Sequence, residues 1–572
     1  MTAPALQVED LSIAFGRGEA RRTIVSNVSF SLYPGEVTAL VGESGSGKTL
    51  LSKALIGLLP GGAAVTGGHI SLDGERLDAA GFVKARRGRI AFIFQEPMTS
   101  LNPFMRIGAQ MTDTMRALPA RQRHDHVMEM LRKVRIHQPE KVLRRYPHQL
   151  SGGMAQRVMI ATALAAKPSL VIADEPTTAL DAIVQDEILE LLQSNCRDMG
   201  AGVLLITHDL STVANVAQTC HVLERGRIVE SGSVKTVIRQ PAHLYTRKLL
   251  AAIPPPRAPQ PPTPSAAVPL IEARHITREI SKGGWPRQKN ATRILHDVSL
   301  AIDEGETTII IGESGSGKTT LSRIFAGLDP ASSGQMLYRG IRPGKHESAP
   351  PRRTAFIFQD SAGALNPTMR VDAIVGEGLL FDRTISRVER KQRVAAALEA
   401  VDLDPALGTR LPHQLSGGQR QRVNIARAIV LRPELIIADE PVSALDLIAQ
   451  KTILDLFARL KAEMGFAFLI VSHDLGMVEH MADQVCVIYG GVLVEIGPRS
   501  AIFARPAHPY TRQLLSATTT LRAAPDGAFH LERRTVPPST LQNTYQPHTG
   551  AHQQEPFRYI EIEPRHFVAH SL

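Results

Sequence analysis

The sequence predicts an α/β protein in which one domain occurs twice along a chain of 572 residues. Three observations lead to this prediction. Four motifs recur in the same order, 265 or 270 residues apart, and this period is far longer than the roughly 20–50 residues of a solenoid repeat. Strand-length apolar runs alternate with segments of helical spacing, as in sheets that are buried on both faces. A proline-rich segment separates the two copies.

The first repeated motif is a glycine-rich loop, Gly-Glu-Ser-Gly-Ser-Gly-Lys-Thr, at residues 42–49 and again at 312–319. The apolar run 37–41 leads into the first copy, and helical spacing over 50–58 follows it. This pattern is typical of a phosphate-binding loop, in which backbone N–H groups and a helix N-terminus face a nucleotide's phosphates. The predicted contacts are Gly42, Ser44, Gly45, Gly47, Lys48 and Thr49 in the first copy and Gly312, Ser314, Gly315, Gly317, Lys318 and Thr319 in the second. The lysines would reach the β- and γ-phosphates, and the threonine hydroxyls would bind Mg²⁺.

An Asp-Glu pair ends a further apolar run in each copy. Asp174 and Asp439 are therefore predicted at the edge of the sheet beside the phosphate loop, where each would hold the Mg²⁺ shell directly or through water. The adjacent Glu175 and Glu440 are suited to polarise an attacking water molecule. Such a pair is commonly only a solvated turn, but its recurrence after the loop in both copies favours the catalytic interpretation.

Two further polar residues follow apolar runs in both copies. His208 and His473 are expected to contact the γ-phosphate and the attacking water, although an isolated histidine there would more simply cap a strand. Gln95 and Gln359 end the shared run Ala-Phe-Ile-Phe-Gln, and Leu-Asn-Pro follows each after a short interval. Because Leu-Asn-Pro follows the glutamine in both copies, we interpret this segment as a loop that contacts the metal ion and transmits a signal.

Composition shifts divide the chain. We expect a first domain at 1–251, a linker at 252–269, a second domain at 270–518 and a tail of unknown role at 519–572. Proline density in the linker favours extended polyproline II structure. The tail is polar and shows little apolar periodicity until 557–562, which predicts one short strand.

The overall composition excludes several classes of protein. No apolar run approaches the roughly 20 residues of a membrane span, and no secretory signal opens the chain. The 3 cysteines lie far apart, which argues against disulfides, zinc sites and iron–sulfur clusters and predicts a soluble intracellular protein. The net charge of +10 allows nucleic-acid binding or contact with anionic lipid. Basic clusters such as 84–89 lack interleaved aromatic residues, so no direct nucleic-acid binding is expected.

The motif Leu-Ser-Gly-Gly, followed by Gln-Arg, resembles the signature that separates ABC ATPases from other P-loop proteins. The resemblance covers about residues 6–250 and 270–515. It implies two P-loop domains, each with a RecA-like core, an antiparallel β subdomain and a helical subdomain. Residues near 98–165 and 361–430 are rich in helix formers and suit the helical subdomains.

The resemblance also implies that the two domains sandwich two ATP molecules head to tail. Each site would join the phosphate loop of one domain to the signature of the other, namely Ser416, Gly417 and Gly418 for site one and Ser151, Gly152 and Gly153 for site two. Small residues at a helix N-terminus offer free N–H groups to a γ-phosphate. Asp181 and Asp446 would lie across the interface.

Two positions depart from the family's pattern. The first signature has Met154 where the second has Gln419. The adenine-stacking aromatic corresponds to Phe15 in the first copy and to Ile280 in the second, where the nearby Trp285 is a possible substitute. Both departures fall on site two.

A narrower resemblance concerns the motif Pro-Ala-His-x-Tyr-Thr-Arg at 241–247 and 506–512. Together with 95–103 it is similar to the dipeptide, oligopeptide and nickel importer ATPases, although the tail lacks the cysteine cluster that many members carry. It implies an ATPase peripheral to the cytoplasmic face of the plasma membrane, with two permeases and, indirectly, an extracytoplasmic binding protein as partners. Peptides, glutathione, nickel chelates and opine-like conjugates remain open as solutes. The alternatives are a tandem ABC ATPase that acts on ribosomes or DNA, which the short proline-rich linker disfavours, and a non-catalytic regulator, which the intact glutamates disfavour.

Overall fold

A computed structural model describes most of the chain. The described residues are 3–16, 21–115, 119–136, 138–177, 180–257, 268–281, 291–342, 354–361, 363–443, 445–524, 528–537, 541, 544–547 and 556–572. Most of the proline-rich linker lies outside these residues. So does Trp285, the possible substitute for the adenine-stacking aromatic of the second half. The chain divides into two compact units, and neither is a single continuous stretch. The first comprises Met1–Ile253, Asp446–Ile448 and Thr519–Arg533, and the second comprises Pro254–Leu445, Ala449–Thr518 and Arg534–Leu572.

The first half of the chain contains ten strands and eleven α-helices. The strands are β1 (Leu6–Phe15), β2 (Arg22–Leu32), β3 (Val37–Val41), β4 (Ala63–Leu72), β5 (Glu75–Arg76), β6 (Ile90–Ile93), β7 (Leu170–Asp174), β8 (Gly202–Thr207), β9 (Thr219–Glu224) and β10 (Arg227–Ser233). The helices are α1 (Lys48–Leu55), α2 (Ala79–Ala85), α3 (Pro97–Ser100), α4 (Ile107–Asp113), α5 (Ala120–Lys133), α6 (Pro139–Leu143), α7 (Gly152–Leu164), α8 (Ala182–Met199), α9 (Leu210–Val216), α10 (Val234–Arg239) and α11 (Leu244–Ala251). These counts refer to the described residues.

Two sheets form the first unit's framework. The core sheet has the order β10-β9-β3-β8-β7-β6, and its strands are parallel except for β10. Strands β3, β7 and β8 are buried along their whole length, which explains their continuous apolar sequences. The second sheet, β2-β1-β4-β5, is antiparallel and packs with α1 in one hydrophobic core. Helices α4 to α7 form another core together with the opposite face of the parallel sheet.

The second half repeats this plan. Its strands are β11 (Ile271–Ser281), β12 (Ala291–Ile302), β13 (Thr307–Ile311), β14 (Ser333–Tyr338), β15 (Thr354–Ile357), β16 (Leu435–Asp439), β17 (Ala467–Val471), β18 (Gln484–Tyr489) and β19 (Val492–Pro498). Its helices are α12 (Lys318–Phe325), α13 (Val371–Gly376), α14 (Arg387–Ala400), α15 (Gly417–Ile429), α16 (Leu447–Met464), α17 (Leu475–Met481), α18 (Arg499–Ala504) and α19 (Pro509–Ser516). The predicted fold class is confirmed, with a parallel core sheet, an antiparallel sheet and a helical subdomain in each half.

The tail contains more structure than its composition suggests. It forms β20 (Thr519–Ala523), β21 (Phe529–Arg533), β22 (Phe557–Glu563) and β23 (His566–Ser571). The β20–β21 hairpin belongs to the first unit, where Leu521 joins a core containing residues of α9, α10 and α11. Strands β22 and β23 extend the second unit's core sheet to the order β15-β16-β17-β13-β18-β19-β23-β22.

The strand predicted at 557–562 is β22, whereas β23 was not anticipated. In β23, Val568 is fully buried and pairs with Glu495 of β19. His566 of β23 can be buried because Glu495 of β19 contacts it. This partner is distant in sequence, so the local apolar pattern of 566–571 does not predict a strand. None of the described helices combines the length and the apolar character that a membrane span requires.

Candidate functional site

The glycine-rich loops connect β3 to α1 and β13 to α12, as the sequence predicts. Gly47 and Gly317 stand immediately before the helices with φ of 106° and 103°, a left-handed conformation that glycine adopts without strain. Gly45 and Gly315 also have positive φ, and a Cβ added to either would meet nothing within 4 Å. The loop backbone is therefore open to a ligand at the N-terminus of each helix.

The loop lysines are buried and donate to the loop itself. Lys48 Nζ donates to the carbonyl oxygens of Gly42 and Glu43 at 2.7 and 2.8 Å. Lys318 Nζ makes the same two bonds in the second half at 2.8 and 2.7 Å. Burial lowers the pKa of Lys48 below its ordinary value, although the nearby carboxylates of Glu175 and Asp174 oppose this shift.

Each loop also contains a buried hydroxyl that sequence reasoning did not single out. Ser46 and Ser316 are both 6% exposed, and their Oγ atoms have no hydrogen-bond partner among the described residues. An unpaired buried hydroxyl is costly, so a ligand oxygen at this point would stabilise the loop. The two open loops and these two hydroxyls fit the phosphates of a nucleotide.

The predicted catalytic glutamates lie directly after β7 and β16 in a strained backbone conformation. Glu175 has φ of 47° and Glu440 has φ of 45°, values that residues other than glycine rarely adopt. The Glu175 N–H donates to the Ile206 carbonyl of β8 at 2.8 Å, and the Glu440 N–H donates to Val471 of β17 at 2.9 Å. Each glutamate is therefore fixed by the neighbouring strand, and strain of this kind is concentrated at functional sites.

The structure brings the glutamine, glutamate and histidine of each half together. Gln95 Nε2 donates to Glu175 at 2.7 Å, and His208 Nδ1 lies 3.0 Å from the other carboxylate oxygen. The glutamines follow two residues after β6 and β15, and the histidines follow β8 and β17, so parallel strands deliver all three groups to one edge of the sheet. The corresponding distances in the second half are 2.8 Å from Gln359 and 3.2 Å from His473 to Glu440.

These contacts determine the charge of the cluster. Burial lowers the pKa of His208 and His473, but the hydrogen bond and the negative charge of the adjacent glutamate outweigh it, so both values are raised overall. Burial raises the pKa of Glu440, but His473 and Lys318 outweigh it, so the net value lies below the ordinary one. Glu440 is therefore ionised at neutral pH and can accept a proton or orient water.

The predicted metal-binding aspartates lie at the ends of β7 and β16. Ser52 Oγ donates to Asp174 at 3.1 Å, and Thr319 Oγ1 donates to Asp439 at 3.3 Å. Burial raises the pKa of both carboxyl groups. In the described part of the chain, no group of three or more His, Cys, Asp or Glu side chains could hold a metal ion alone. Hydroxyl and carboxylate oxygens fit Mg²⁺, which commonly takes one or two protein ligands together with substrate phosphates.

The two signatures begin α7 and α15, and their N-terminal caps differ. Ser151 and Ser416 accept the N–H of Met154 and Gln419 respectively, each at 3.3 Å. In the second half Gln419 Oε1 also accepts the Ser416 N–H at 3.0 Å, which completes a capping box. Met154 has no amide oxygen to make this reciprocal bond.

The adenine position also differs between the halves. Phe15 of β1 pairs with Arg22, and Ile280 of β11 pairs with Thr292 at the same point of the strand register. Phe15 is 49% exposed and lies against the backbone of Gly62, whereas Ile280 is 44% exposed. An exposed aromatic ring in the first half is thus replaced by an aliphatic side chain in the second.

The two predicted interface aspartates have separate surroundings. Asp181 caps α8 by accepting the Val184 N–H at 3.0 Å. Asp446, which belongs to the first compact unit, accepts the N–H of Ser44 in the glycine loop at 3.2 Å.

Two family profiles match both halves of the chain. The profile described as ABC transporter matches residues 25–178 and 295–443. The profile described as oligopeptide/dipeptide transporter, C-terminal region, matches residues 229–277 and 494–545. The second of these matches continues into the tail.

Two named bacterial proteins are similar over nearly the whole chain. The peptidoglycan transport ATP-binding protein YejF of Agrobacterium fabrum is 44% identical over 537 residues, which cover 91% of this chain and 98% of that protein. The glutathione import ATP-binding protein GsiA of Pectobacterium atrosepticum is 39% identical over 609 residues, which cover 99% and 96%. A solved structure of the archaeal ribosome recycling factor aABCE1, in complex with the ribosomal stalk protein aP1, has a TM-score of 0.61. At 19% identity over 93% of this chain and 96% of that one, this likeness shows the fold alone. The chain therefore belongs to the ABC transporter ATPases, and it carries two ATP-binding and ATP-hydrolysing domains in one polypeptide.

Proposed function

We propose that this chain powers the import of peptides or related small solutes through an ABC importer. The observation that carries the proposal is the oligopeptide/dipeptide C-terminal region, which follows the ATPase core in both halves. The relatives named for peptidoglycan transport and glutathione import support a peptide-like solute. Nickel chelates and opine-like conjugates belong to the same range of candidates.

The proposed partners are two permease subunits in the membrane. The chain would bind them peripherally at the cytoplasmic face, and an extracytoplasmic binding protein would act through the permeases. This arrangement makes the ATPase the energy source and leaves choice of the solute to its partners. An ABC ATPase that acts on ribosomes or DNA is the rival class, and the likeness to the ribosome recycling factor supports only a shared fold.

The proposed roles follow the geometry of each half. The glycine loop would cradle the phosphates of ATP, with Lys48 or Lys318 reaching the β- and γ-phosphates. Thr49 or Thr319, Asp174 or Asp439, and Gln95 or Gln359 would hold Mg²⁺, which neutralises developing charge when bound. Glu175 or Glu440 would polarise the attacking water, and His208 or His473 would orient the glutamate and contact the γ-phosphate.

Each ATP site is further proposed to be shared between the halves of the chain. The signature serine and glycines of one half would close over the phosphate loop of the other, and Phe15 would stack on adenine in site one. The presence of one glycine loop and one signature in each half supports this proposal, because each shared site needs one of each.

The decisive experiment reconstitutes the chain with its candidate permeases in lipid nanodiscs. The permeases would be those encoded beside this chain, together with their binding protein. We expect low ATP turnover for the chain alone, higher turnover with the permeases and a further rise with solute-loaded binding protein. Salt-sensitive association with ribosomes or duplex DNA, without stimulation by permeases, would favour the rival class instead.

A further inference from the structure

The C-terminal region of each half reaches the phosphate loop through one tyrosine. Tyr245 of α11 is 5% exposed, and its hydroxyl oxygen accepts the backbone N–H of Glu43 at 2.9 Å. Tyr510 of α19 is 4% exposed and accepts the backbone N–H of Glu313 at the same distance. These partners are 202 and 197 residues apart along the chain. The same long-range bond therefore forms twice, at the second residue of each glycine loop.

With this bond, both backbone polar groups of Glu43 have a hydrogen-bond partner. The carbonyl of Glu43 accepts a bond from Lys48 Nζ at 2.8 Å, while its N–H donates to Tyr245. Both backbone polar groups of Glu43 are thus held by side chains from opposite ends of the domain's sequence. Glu313 is held in the same way by Lys318 and Tyr510.

The tyrosine is itself anchored by the same arrangement of bonds in both halves. Glu230 of β10 accepts the N–H groups of Ala242 and His243 at 2.8 and 3.0 Å, immediately before α11. His243 Nδ1 then accepts the Tyr245 N–H at 3.2 Å and caps the helix. The chain of bonds thus runs from a strand of the core sheet, through the helix cap, to the phosphate loop.

The second half repeats this anchoring. Glu495 accepts the N–H groups of Ala507 and His508 at 2.8 and 3.0 Å, and His508 Nδ1 accepts the Tyr510 N–H at 3.1 Å. Burial raises the pKa of Tyr245 to about 12, so that hydroxyl stays protonated at neutral pH.

We infer that Tyr245 and Tyr510 are positioning residues for ATP binding, through which the C-terminal region of each half holds the phosphate loop. Neither tyrosine acts on ATP directly, and each acts through the backbone of the loop. The inference rests on the proposed role of the glycine loops and is independent of the transported solute. Because the loop binds phosphates in both the ground state and the transition state, its loosening should raise KM more than it lowers kcat.

The test uses the full chain with Tyr245→Phe, Tyr510→Phe and the double substitution. Phenylalanine keeps the buried ring and removes only the acceptor, which leaves a loop N–H without its partner. We expect KM for ATP to rise about fivefold to tenfold in the double variant, since one lost buried hydrogen bond changes affinity by this order. We expect kcat to stay within about twofold and the melting temperature to change little.

Tyr489→Phe is the matched control. The Tyr489 ring stacks on Tyr510 with centroids 4.2 Å apart, so this variant removes a neighbouring hydroxyl and leaves the bond to Glu313 intact. Its KM should equal that of the unaltered chain. An unchanged KM in the double variant, or an equal rise in the control, would overturn the inference.

The double substitution Lys48→Ala with Lys318→Ala separates this inference from its premise, because it alters both loops. If this variant binds ATP normally, the assignment of the glycine loops is itself wrong. If it loses affinity while the tyrosine variants do not, only the role of the tyrosines is refuted.

Discussion

The two halves are nearly identical around the proposed catalytic glutamates. They differ at positions that would bind the rest of the nucleotide. Glu175 and Glu440 share a left-handed backbone conformation, and each is bonded to a glutamine and a histidine. The differences lie at the adenine position, at the signature cap and beside the second C-terminal motif. The halves are thus expected to share one chemical mechanism while differing in nucleotide affinity and in local stability.

The largest expected effect is on ATP turnover and concerns the catalytic glutamates that both halves share. Glu175→Gln together with Glu440→Gln should reduce ATP turnover by about 100-fold or more, because an amide cannot take a proton from the attacking water. Glutamine preserves size and can still bond to Gln95 and His208 or their counterparts, so ATP binding should persist. Steady-state turnover and equilibrium binding of ATP would be measured on the same preparation. Turnover near that of the unaltered chain would refute the role of the glutamates.

The shared cluster was largely predictable from sequence because its groups all come directly after buried strands. Apolar runs located β7, β8 and their counterparts, and the carboxyl ends of parallel strands necessarily meet at one edge of the sheet. The left-handed conformation of Glu175 was not predictable, because it depends on the bond to Ile206 of the adjacent strand. The hydroxyl of Tyr245 was missed for a similar reason, since its partner lies 202 residues away and no local pattern records it.

The second largest effect concerns the C-terminal motif of the second half. His566 of β23 is 1% exposed, and its Nε2 lies 2.8 Å from the fully buried Glu495. Glu230, the first half's counterpart of Glu495, is only partly buried, and no such histidine covers it among the described residues. His566→Ala leaves a buried carboxylate without one partner and should lower the local stability of the second unit by about 2–4 kcal/mol.

Hydrogen exchange of peptides from β19 and β23 would measure this loss, because a chain of two units need not unfold in one step. His570→Ala on the same strand is the control, since His570 is only partly buried and its Nδ1 contacts a backbone carbonyl. We expect faster exchange in β19 for His566→Ala alone. Equal exchange in the two variants would show that the contact to Glu495 contributes no stability.

A smaller effect is expected at the adenine position. If site two lacks an aromatic stack, it should bind ATP about two- to tenfold more weakly than site one, which corresponds to roughly 0.5–1.5 kcal/mol. Lys48→Ala disables site one and should therefore leave the lower residual affinity, while Lys318→Ala should leave the higher one. Equal affinities, or the reverse order, would contradict this asymmetry.

Exchange of the two side chains tests the cause of the asymmetry. Ile280→Phe in the Lys48→Ala background should recover affinity, and Phe15→Ile in the Lys318→Ala background should lose it by a similar factor. Trp285 could supply a ring in place of Ile280, in which case Ile280→Phe would have no effect and Trp285→Ala would weaken site two. Titration with a fluorescent ATP analogue distinguishes these outcomes.

The smallest expected effect concerns the signature caps. Gln419 bonds back to the Ser416 N–H, and Met154 cannot do the same for Ser151. Gln419→Met should therefore destabilise the first turn of α15 by about 0.5–1 kcal/mol, and Met154→Gln should stabilise the first turn of α7 by a similar amount. Both turns would present N–H groups to a γ-phosphate, so the better ordered turn should also close more readily over ATP.

Hydrogen exchange in the first turn of each helix measures the two substitutions directly. An increase of about two- to fivefold in exchange is expected at α15 for Gln419→Met, with a matching decrease at α7 for Met154→Gln.

Gln421→Met is an unsuitable control, because Gln421 is buried and donates to the Pro441 carbonyl at 2.7 Å. Arg420→Met, in the same turn, does not touch the Ser416 N–H and should leave the capping box intact, although it removes the bond to the Leu415 carbonyl. If Met154→Gln and Gln419→Met left both turns unchanged, the capping box would not account for any difference between the two ATP sites, and the adenine position alone would remain to explain it.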